Sequence, residues 1–310
     1  MMIINPGSER ATPMLKTRFL DEMLDLMRFG EVPAALHAIY GYLHALRDNS
    51  ETWPQSIEAL RQHRLHGVLL EDSFLSHCFT RPRGYPGDAG LIDIIYDRKL
   101  PAAANDRAAQ MFAQTTGTAP CEAVRLRREY ARTLVADAHR AGQRICVLAC
   151  GHFREGDDLI GQDLSGITLV DQDPLSLEVV RRNHAVQGAR IEEANVFAFL
   201  RRAAQAGEQY DLVYTLGLTD YLDDRAMVLL HRLLHRVTAP GGRAVVANFR
   251  PDLMCTAWME AVMDWTLIYR EDAELAEFGR SAGFAPRTWI DPTGHIAWAE
   301  LQRLDLAAAA

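Results

Sequence analysis

RICVLACGHFREGDDLIGQDLSGITLVDQD, residues Arg144 to Asp173, is the stretch from which the fold can be read. Ile145 to Ala149 is a short apolar run between an arginine and a Cys-Gly pair. That composition suits a strand buried on both faces, although so short a run also suits a helical turn. Gly151 can take a positive φ and presents no side chain to a ligand, so Cys150-Gly151 marks a sharp turn. The polar run His152 to Asp158 can open a helix whose free N–H groups face whatever lies above the strand. A second apolar run, Ile167 to Val170, ends at Asp171. Strand, glycine turn, helix, strand and terminal acid is the first half of a nucleotide-binding βαβ unit, with the acid placed to hold a ribose. The GxGxxG of dinucleotide sites is absent. Only Gly151 is in place, and His152, Phe153 and Arg154 stand where a pyrophosphate needs close backbone approach. A nucleoside without a pyrophosphate is the ligand this turn expects.

Downstream the alternation continues. Pro174 opens a helix that runs through Leu175 to Val186. Ile191 to Asn195 reads as a third strand, Val196 to Ala206 as a helix, and Tyr210 to Thr215 as a fourth strand. Leu222 to Val237 is amphipathic, Pro240-Gly241-Gly242 is a turn, and Arg243 to Phe249 is a fifth strand. Strands alternating with helices at this spacing imply right-handed crossovers and a parallel sheet. Pro286 to Leu301 reads as two strands around the turn at Asp291-Pro-Thr-Gly.

Upstream the pattern is helical. Leu15, Phe19, Met23 and Leu26 form one stripe that Gly30 stops. Leu36, Ile39, Tyr40 and Leu43 form another, ended by a turn at Asp48-Asn49-Ser50, and a third helix is expected from Gln55 to Leu70. TRPRGYPGD, Thr80 to Asp88, cannot be regular helix, because each proline removes a donor and biases its predecessor. Such a loop either turns the chain or carries Arg83, Tyr85 and Asp88 to a ligand, and Asp88 can cap the helix from Ala89 to Tyr96. Pro101 to Thr115 and Ala119 to Ala141 also read as helices, the second with Arg125, Arg127, Arg128 and Arg132 on an expected solvated face. The fold class expected is α/β: a doubly wound, mostly parallel sheet with a C-terminal antiparallel hairpin, preceded by an N-terminal helical domain. The expected division is 1–118 as a helical cap or substrate domain and 119–310 as the nucleoside-binding domain.

At 310 residues, 48% hydrophobic and 24% charged, the chain has the composition of an ordinary globular protein. A net charge of −8 argues against a general nucleic-acid binder. The five cysteines show no CxxC spacing and read as reduced thiols. Asn5, Pro6 and Glu9 break the short apolar start before a secretory core forms, which makes a cytoplasmic location the expectation. No apolar run is long enough for a membrane span. The terminal alanines read as a frayed tail. His231 and His235 stand i,i+4 without an accompanying acid, so no metal site is expected.

Ala149-Cys150-Gly151 and the acid Asp171 resemble motif I and the following acidic motif of class I, Rossmann-like S-adenosylmethionine-dependent methyltransferases. TAPGGRAVVANF resembles that family's Pro-Gly-Gly turn and fifth strand, and YDLVYTLGLTDYLDD its fourth motif. Val147 departs from the pattern, standing where the family usually carries an acid. The RGYPGDA loop resembles bacterial proteins that make hydroxy-fatty-acid methyl esters. The resemblance implies S-adenosyl-L-methionine as cofactor, with Ala149, Cys150, Gly151 and His152 at its methionine part and Asp171 and Gln172 at ribose and adenine. Asn195 and Val196 would lie at the adenine, and Leu216 and Gly217 along the cofactor. On the acceptor side it implies Asp88, Tyr221, Arg250, Trp265 and Arg270 as binding residues, with Tyr85, Arg83, Asn248 and Tyr269 nearest the chemistry. Met263, Leu267 and Arg270 read as one face of a helix from Met259 to Arg270, with Trp265 and Tyr269 on another. The acceptor expected is a small carboxylate-bearing molecule, and a homodimer is left open. Two rivals are a non-catalytic nucleoside-binding regulator, favoured by Val147, and a nicotinamide-dependent oxidoreductase, disfavoured by the missing GxGxxG.

Methyl displacement needs a dry, aligned site, and the Arg81 to Asp88 loop is the stiff, Pro- and Gly-framed segment expected to close one. Tyr85→Ala and Arg83→Ala are therefore expected to slow methyl transfer at least about tenfold, ~1.4 kcal/mol in barrier height, without unfolding the chain. Undiminished turnover in both variants would remove the loop from the active site.

Overall fold

A computed structural model of the chain describes residues 14–48, 51–184, 188–251 and 253–305. The apolar start, the Asn49-Ser50 part of the expected turn, residues 185–187, Asp252 and the terminal alanines lie outside the described residues. In chain order the helices are α1 (Thr17–Arg28), α2 (Val32–Arg47), α3 (Trp53–Gln62), α4 (Arg64–Leu69), α5 (Ser73–Thr80), α6 (Ala89–Asp97), α7 (Asp106–Thr116), α8 (Ala119–Arg140), α9 (Pro174–His184), α10 (Val196–Ala206), α11 (Asp224–Val237), α12 (Cys255–Val262) and α13 (Asp272–Ser281). The strands are β1 (Ile145–Leu148), β2 (Ile167–Asp171), β3 (Arg190–Glu193), β4 (Tyr210–Thr215), β5 (Thr238–Phe249), β6 (Ala285–Ile290) and β7 (Ile296–Gln302). Two compact units result. The first comprises Met1–Gly87, Arg98–Gly117 and Met254–Thr266, and the second Asp88–Asp97, Thr118–Leu253 and Leu267–Ala310. Thus α6 clusters with the second unit although it precedes residue 118, and α12 with the first although it follows β5.

The first unit is helical. α1 turns Leu20, Met23, Leu24 and Met27 inward, and α2 does the same with Ile39, Leu43 and Leu46. α12 joins them through Glu260, whose carboxylate accepts both Nε (3.1 Å) and Nη2 (2.9 Å) of Arg47 and the indole N–H of Trp53 (2.8 Å). The single helix expected over Gln55 to Leu70 is two. His63 is extended (ψ 147°), and its ring nitrogen accepts the Leu65 N–H (3.2 Å), so α4 starts afresh there. The helix expected from Pro101 starts only at Asp106, where the Asn105 side chain caps it through the Ala108 N–H (2.8 Å).

Asp72 caps α5 through the Phe74 N–H (2.9 Å), accepts the Thr115 hydroxyl (2.6 Å), and is fully buried. Burial pushes its carboxyl up to about 6 against the opposing effect of those hydrogen bonds. A raised carboxyl stabilises the fold fully below its ordinary value of 3.8 and ceases to as the pH rises through about 6. Across that pH window the loss amounts to about 3 kcal/mol. Asp220 is pushed up to about 6 in the same sense. Buried His231, lowered to about 4, acts oppositely, its contribution present above 6.5 and lost as the pH falls. Asp72→Asn should therefore flatten the difference in unfolding free energy between about pH 4 and about pH 7.5 relative to the parent. Denaturant titrations at both pH values that give the two proteins the same change in unfolding free energy would contradict this.

The second unit is built on a seven-stranded sheet of order β3-β2-β1-β4-β5-β7-β6. β1 pairs in parallel with β2 (Ile145 beside Ile167) and β4 (Ile145 beside Leu212), whereas β7 is antiparallel to both β5 and β6. This is the doubly wound, mostly parallel sheet with a C-terminal antiparallel hairpin. The hairpin turn is held by the Asp291 carboxylate, which accepts the N–H groups of Thr293 (3.0 Å), His295 (2.8 Å) and Ile296 (2.7 Å). On one face Cys146, Leu148, Val213, Ala244 and Val246 pack against Phe199, Leu200, Leu230, Leu234 and Leu275 of α10, α11 and α13. All five cysteines are buried, and none forms a disulfide. Among the described residues no helix is long and apolar enough to cross a membrane.

The helix expected from Met259 to Arg270 ends at Val262. Asp264 takes a left-handed conformation (φ 52°), its carboxylate binds Arg61 (2.9 Å) and Arg81, and the Trp265 N–H returns to the Met259 carbonyl (2.9 Å). Further on, the Ile268 N–H donates to the Asp220 carbonyl (2.7 Å) and the Arg270 N–H to that of Phe249 (3.0 Å). Partners far away in sequence override the helical spacing, so Trp265, Tyr269 and Arg270 do not share helix faces.

Candidate active site

The chain lays β2 and β3 on one side of β1 and β4 on the other, so the sheet's switch point lies at the carboxyl ends of β1 and β4. After β1 the backbone turns through three left-handed residues: Ala149 (φ 53°), Gly151 (φ 53°) and Phe153 (φ 51°). Non-glycine residues in that region cost about 1–2 kcal/mol each, a strain that surrounding contacts must hold. The contacts are visible. The Gly151 N–H donates to Asp171 Oδ2 (2.8 Å), and the Phe153 N–H closes on the Cys150 carbonyl (2.9 Å). A Cβ on Gly151 would meet that of Ala89, the first residue of α6, at 3.2 Å.

The helix expected to open at His152 is a six-residue 3-10 helix, Arg154–Leu159. Left-handed Phe153 delays its start. The buried Phe153 ring then fills the space over Gly156, where any Cβ would fall 2.1 Å from it.

Asp171 ends β2 with its second oxygen accepting the Asp173 N–H (2.9 Å), and it is 8% exposed. Burial raises its carboxyl against those hydrogen bonds. Beside it Gln172 is exposed, and Asn195 donates to Gln172 Oε1 (3.3 Å) while capping α10 through the Phe197 N–H (3.0 Å). Val196 is buried next in line. Asp171, Gln172, Asn195 and Val196 therefore meet along the ends of β2 and β3.

His152 is buried, with Nδ1 2.8 Å from Asp93 Oδ2 on α6. Arg154 pairs with Asp93 (2.9 Å), Asp97 (2.8 Å) and Asp157 (3.0 Å), which fastens α6 to the β1 turn. Asp88 is buried and caps α6 through the Leu91 N–H (3.0 Å). Arg83 and Tyr85 belong to the first unit, on either side of Gly84 (φ 86°) and ahead of Gly87 (φ 74°), and Tyr85 is exposed. Trp265 is buried in that unit as well.

At the far edge of β4, Leu216 is half-buried and Gly217 exposed. Asn248 is fully buried, donating to the carbonyls of Phe249 (2.9 Å) and Ile268 (2.8 Å). Arg270 is 1% exposed and donates to the carbonyls of Thr219 (3.1 Å) and Leu222 (2.6 Å) and to Asp224 (3.0 Å). Arg250 is taken by Glu271 (2.9 Å) and the Gly294 carbonyl (3.2 Å). Tyr221 is exposed and Tyr269 half-buried.

Residues outside the sequence expectation also converge here. Asp220 is buried, accepts the Phe249 N–H (2.7 Å), and is pushed up to about 6 by burial. Arg127, expected on a solvated face, is buried and donates to the Leu216 carbonyl (2.6 Å). Its signal was available: Val124, Arg127, Ala131, Leu134 and Val135 follow one helical stripe, with the arginine inside it.

No protein-family model and no curated protein matches the chain. Solved structures do. A protein from Bordetella parapertussis described as a possible exported protein is 19% identical, with the match covering 97% of this chain and 100% of that one at a TM-score of 0.55. This likeness shows a shared fold over nearly the whole chain. An O-methyltransferase family protein from Burkholderia thailandensis is 18% identical over 78% of this chain and 73% of its own, with a TM-score of 0.48. Magnesium protoporphyrin IX methyltransferase from Synechocystis, with bound SAH, is 16% identical over 59% and 86%, with a TM-score of 0.44.

Proposed function

We propose that this chain is an S-adenosyl-L-methionine-dependent methyltransferase whose acceptor is a small carboxylate-bearing molecule, a hydroxy fatty acid or an amino-acid-like metabolite. The observation that carries the reading is the β1 turn tied to Asp171 at the switch point of the sheet. The donor set fits a nucleoside. Asp171 Oδ2 accepts the Gly151 N–H and Oδ1 the Asp173 N–H, and a carboxylate has acceptor capacity beyond these for a ribose hydroxyl. The Gln172–Asn195 pair and Val196 offer a polar edge and an apolar wall beside it. A turn with one glycine and the Phe153 ring suits a ligand without a pyrophosphate.

When bound, the sulfonium supplies an already activated methyl group for in-line displacement. The chain's own task is to align the acceptor, keep water out and, where needed, take a proton. Asp93, accepting from His152 Nδ1, fixes the tautomer and orientation of the imidazole beside the turn, which makes His152 the candidate base. Screening methyl transfer from labelled donor to fatty acids, amino acids and phenols tests the acceptor class. Turnover confined to neutral acceptors would refute the carboxylate.

A further inference from the structure

Arg127 is 7% exposed and forms no ion pair with a carboxylate among the described residues, so its planar fork of donors is buried without an anionic partner. One nitrogen, Nη1, donates to the Leu216 carbonyl (2.6 Å), while Nε is buried with no hydrogen-bond partner. Nη2 lies 3.8 Å from where a Cβ on exposed Gly217 would stand, which puts the fork at the carboxyl end of β4. The acids that feel its charge are Glu155 and Asp220. Both are committed: Glu155 accepts the Tyr214 hydroxyl (2.9 Å) and Asp220 the Phe249 N–H (2.7 Å). A buried cation with an unfilled donor is costly unless an anion completes it. Of Arg83, Arg250 and Arg270, the arginines expected to serve a carboxylate, Arg250 and Arg270 already hold protein acceptors.

We infer that Arg127 is a carboxylate-binding residue whose guanidinium receives a ligand carboxylate at the carboxyl end of β4. The inference rests on the proposed function for the ligand's identity. Two sources share the chemistry: the amino-acid end of the cofactor and the acid group of the acceptor. Planar forks match carboxylates in bidentate geometry, so a lysine at this position keeps the charge and loses the match.

The test is calorimetric titration of the full chain and its Arg127→Met and Arg127→Lys variants. One pair of probes is S-adenosylhomocysteine and methylthioadenosine, which lacks the amino-acid part. The other is hydroxydecanoate and its methyl ester. If the cofactor supplies the carboxylate, both variants bind S-adenosylhomocysteine at least tenfold more weakly, with methylthioadenosine within twofold of the parent. If the acceptor supplies it, S-adenosylhomocysteine is unchanged and hydroxydecanoate alone loses tenfold. Arg127→Lys serves where Arg127→Met does not fold. Equal losses within each pair, or no loss in either, would overturn the inference. A parent chain that binds neither adenosyl probe would instead refute the nucleoside reading, leaving the acid and ester pair to decide on Arg127.

Discussion

Asp171→Ala is expected to weaken S-adenosylhomocysteine binding by about 1.5–3 kcal/mol, roughly 10- to 150-fold, the range for hydrogen bonds to a charged group. The carboxylate also has a structural duty, since the N–H groups of Gly151 and Asp173 both donate to it. Removing an acceptor from buried donors costs about 1–3 kcal/mol, so the alanine variant should also melt lower than the parent. Asp171→Asn separates the effects. Its one oxygen serves one of the two N–H groups and its amide NH2 faces the other, so stability should return only in part while affinity stays reduced, because an amide offers the ribose a donor where a carboxylate lone pair stood. Parent-like affinity in a folded Asp171→Ala chain would sink the ribose assignment.

Arg270→Ala should produce the largest loss of stability, about 3–5 kcal/mol, typical of breaking a buried charged network. Its guanidinium joins the Thr219 and Leu222 carbonyls and Asp224, and it lies over the Phe278 ring at 5.7 Å. Truncation leaves two carbonyls without their donor and a cavity between β5 and α11. Asp224 is 82% exposed, so Asp224→Asn should change stability by under about 1 kcal/mol. Thermal melts of both variants decide this. If Arg270 instead grips the acceptor, Arg270→Ala will melt like the parent and show a raised KM.

The parts legible in the sequence were those whose physics is local. β1, the glycine turn and β2 show as apolar runs with a break and an acid, and the β6–β7 hairpin shows in its Asp-Pro-Thr-Gly turn. Asp291 and Asn195 act within a few residues of themselves, as caps and turns do. What stayed hidden depends on partners distant along the chain. Nothing near Asp264 announces that Arg61 and Arg81 will hold it left-handed and end α12 early. The Asp93–His152 contact joins residues far apart in sequence, and neither has a neighbour that foretells it. Arg127 is different. Charge composition favoured the solvated reading, while its place in an apolar stripe argued for burial, and the stripe was the better guide.

Calorimetric titration of the full chain with S-adenosylhomocysteine and, separately, with NAD tests the nucleoside site most directly. Saturable binding of S-adenosylhomocysteine and no saturation by NAD is the predicted result. Saturation by NAD, or no binding of S-adenosylhomocysteine to a chain with native circular dichroism, would contradict it.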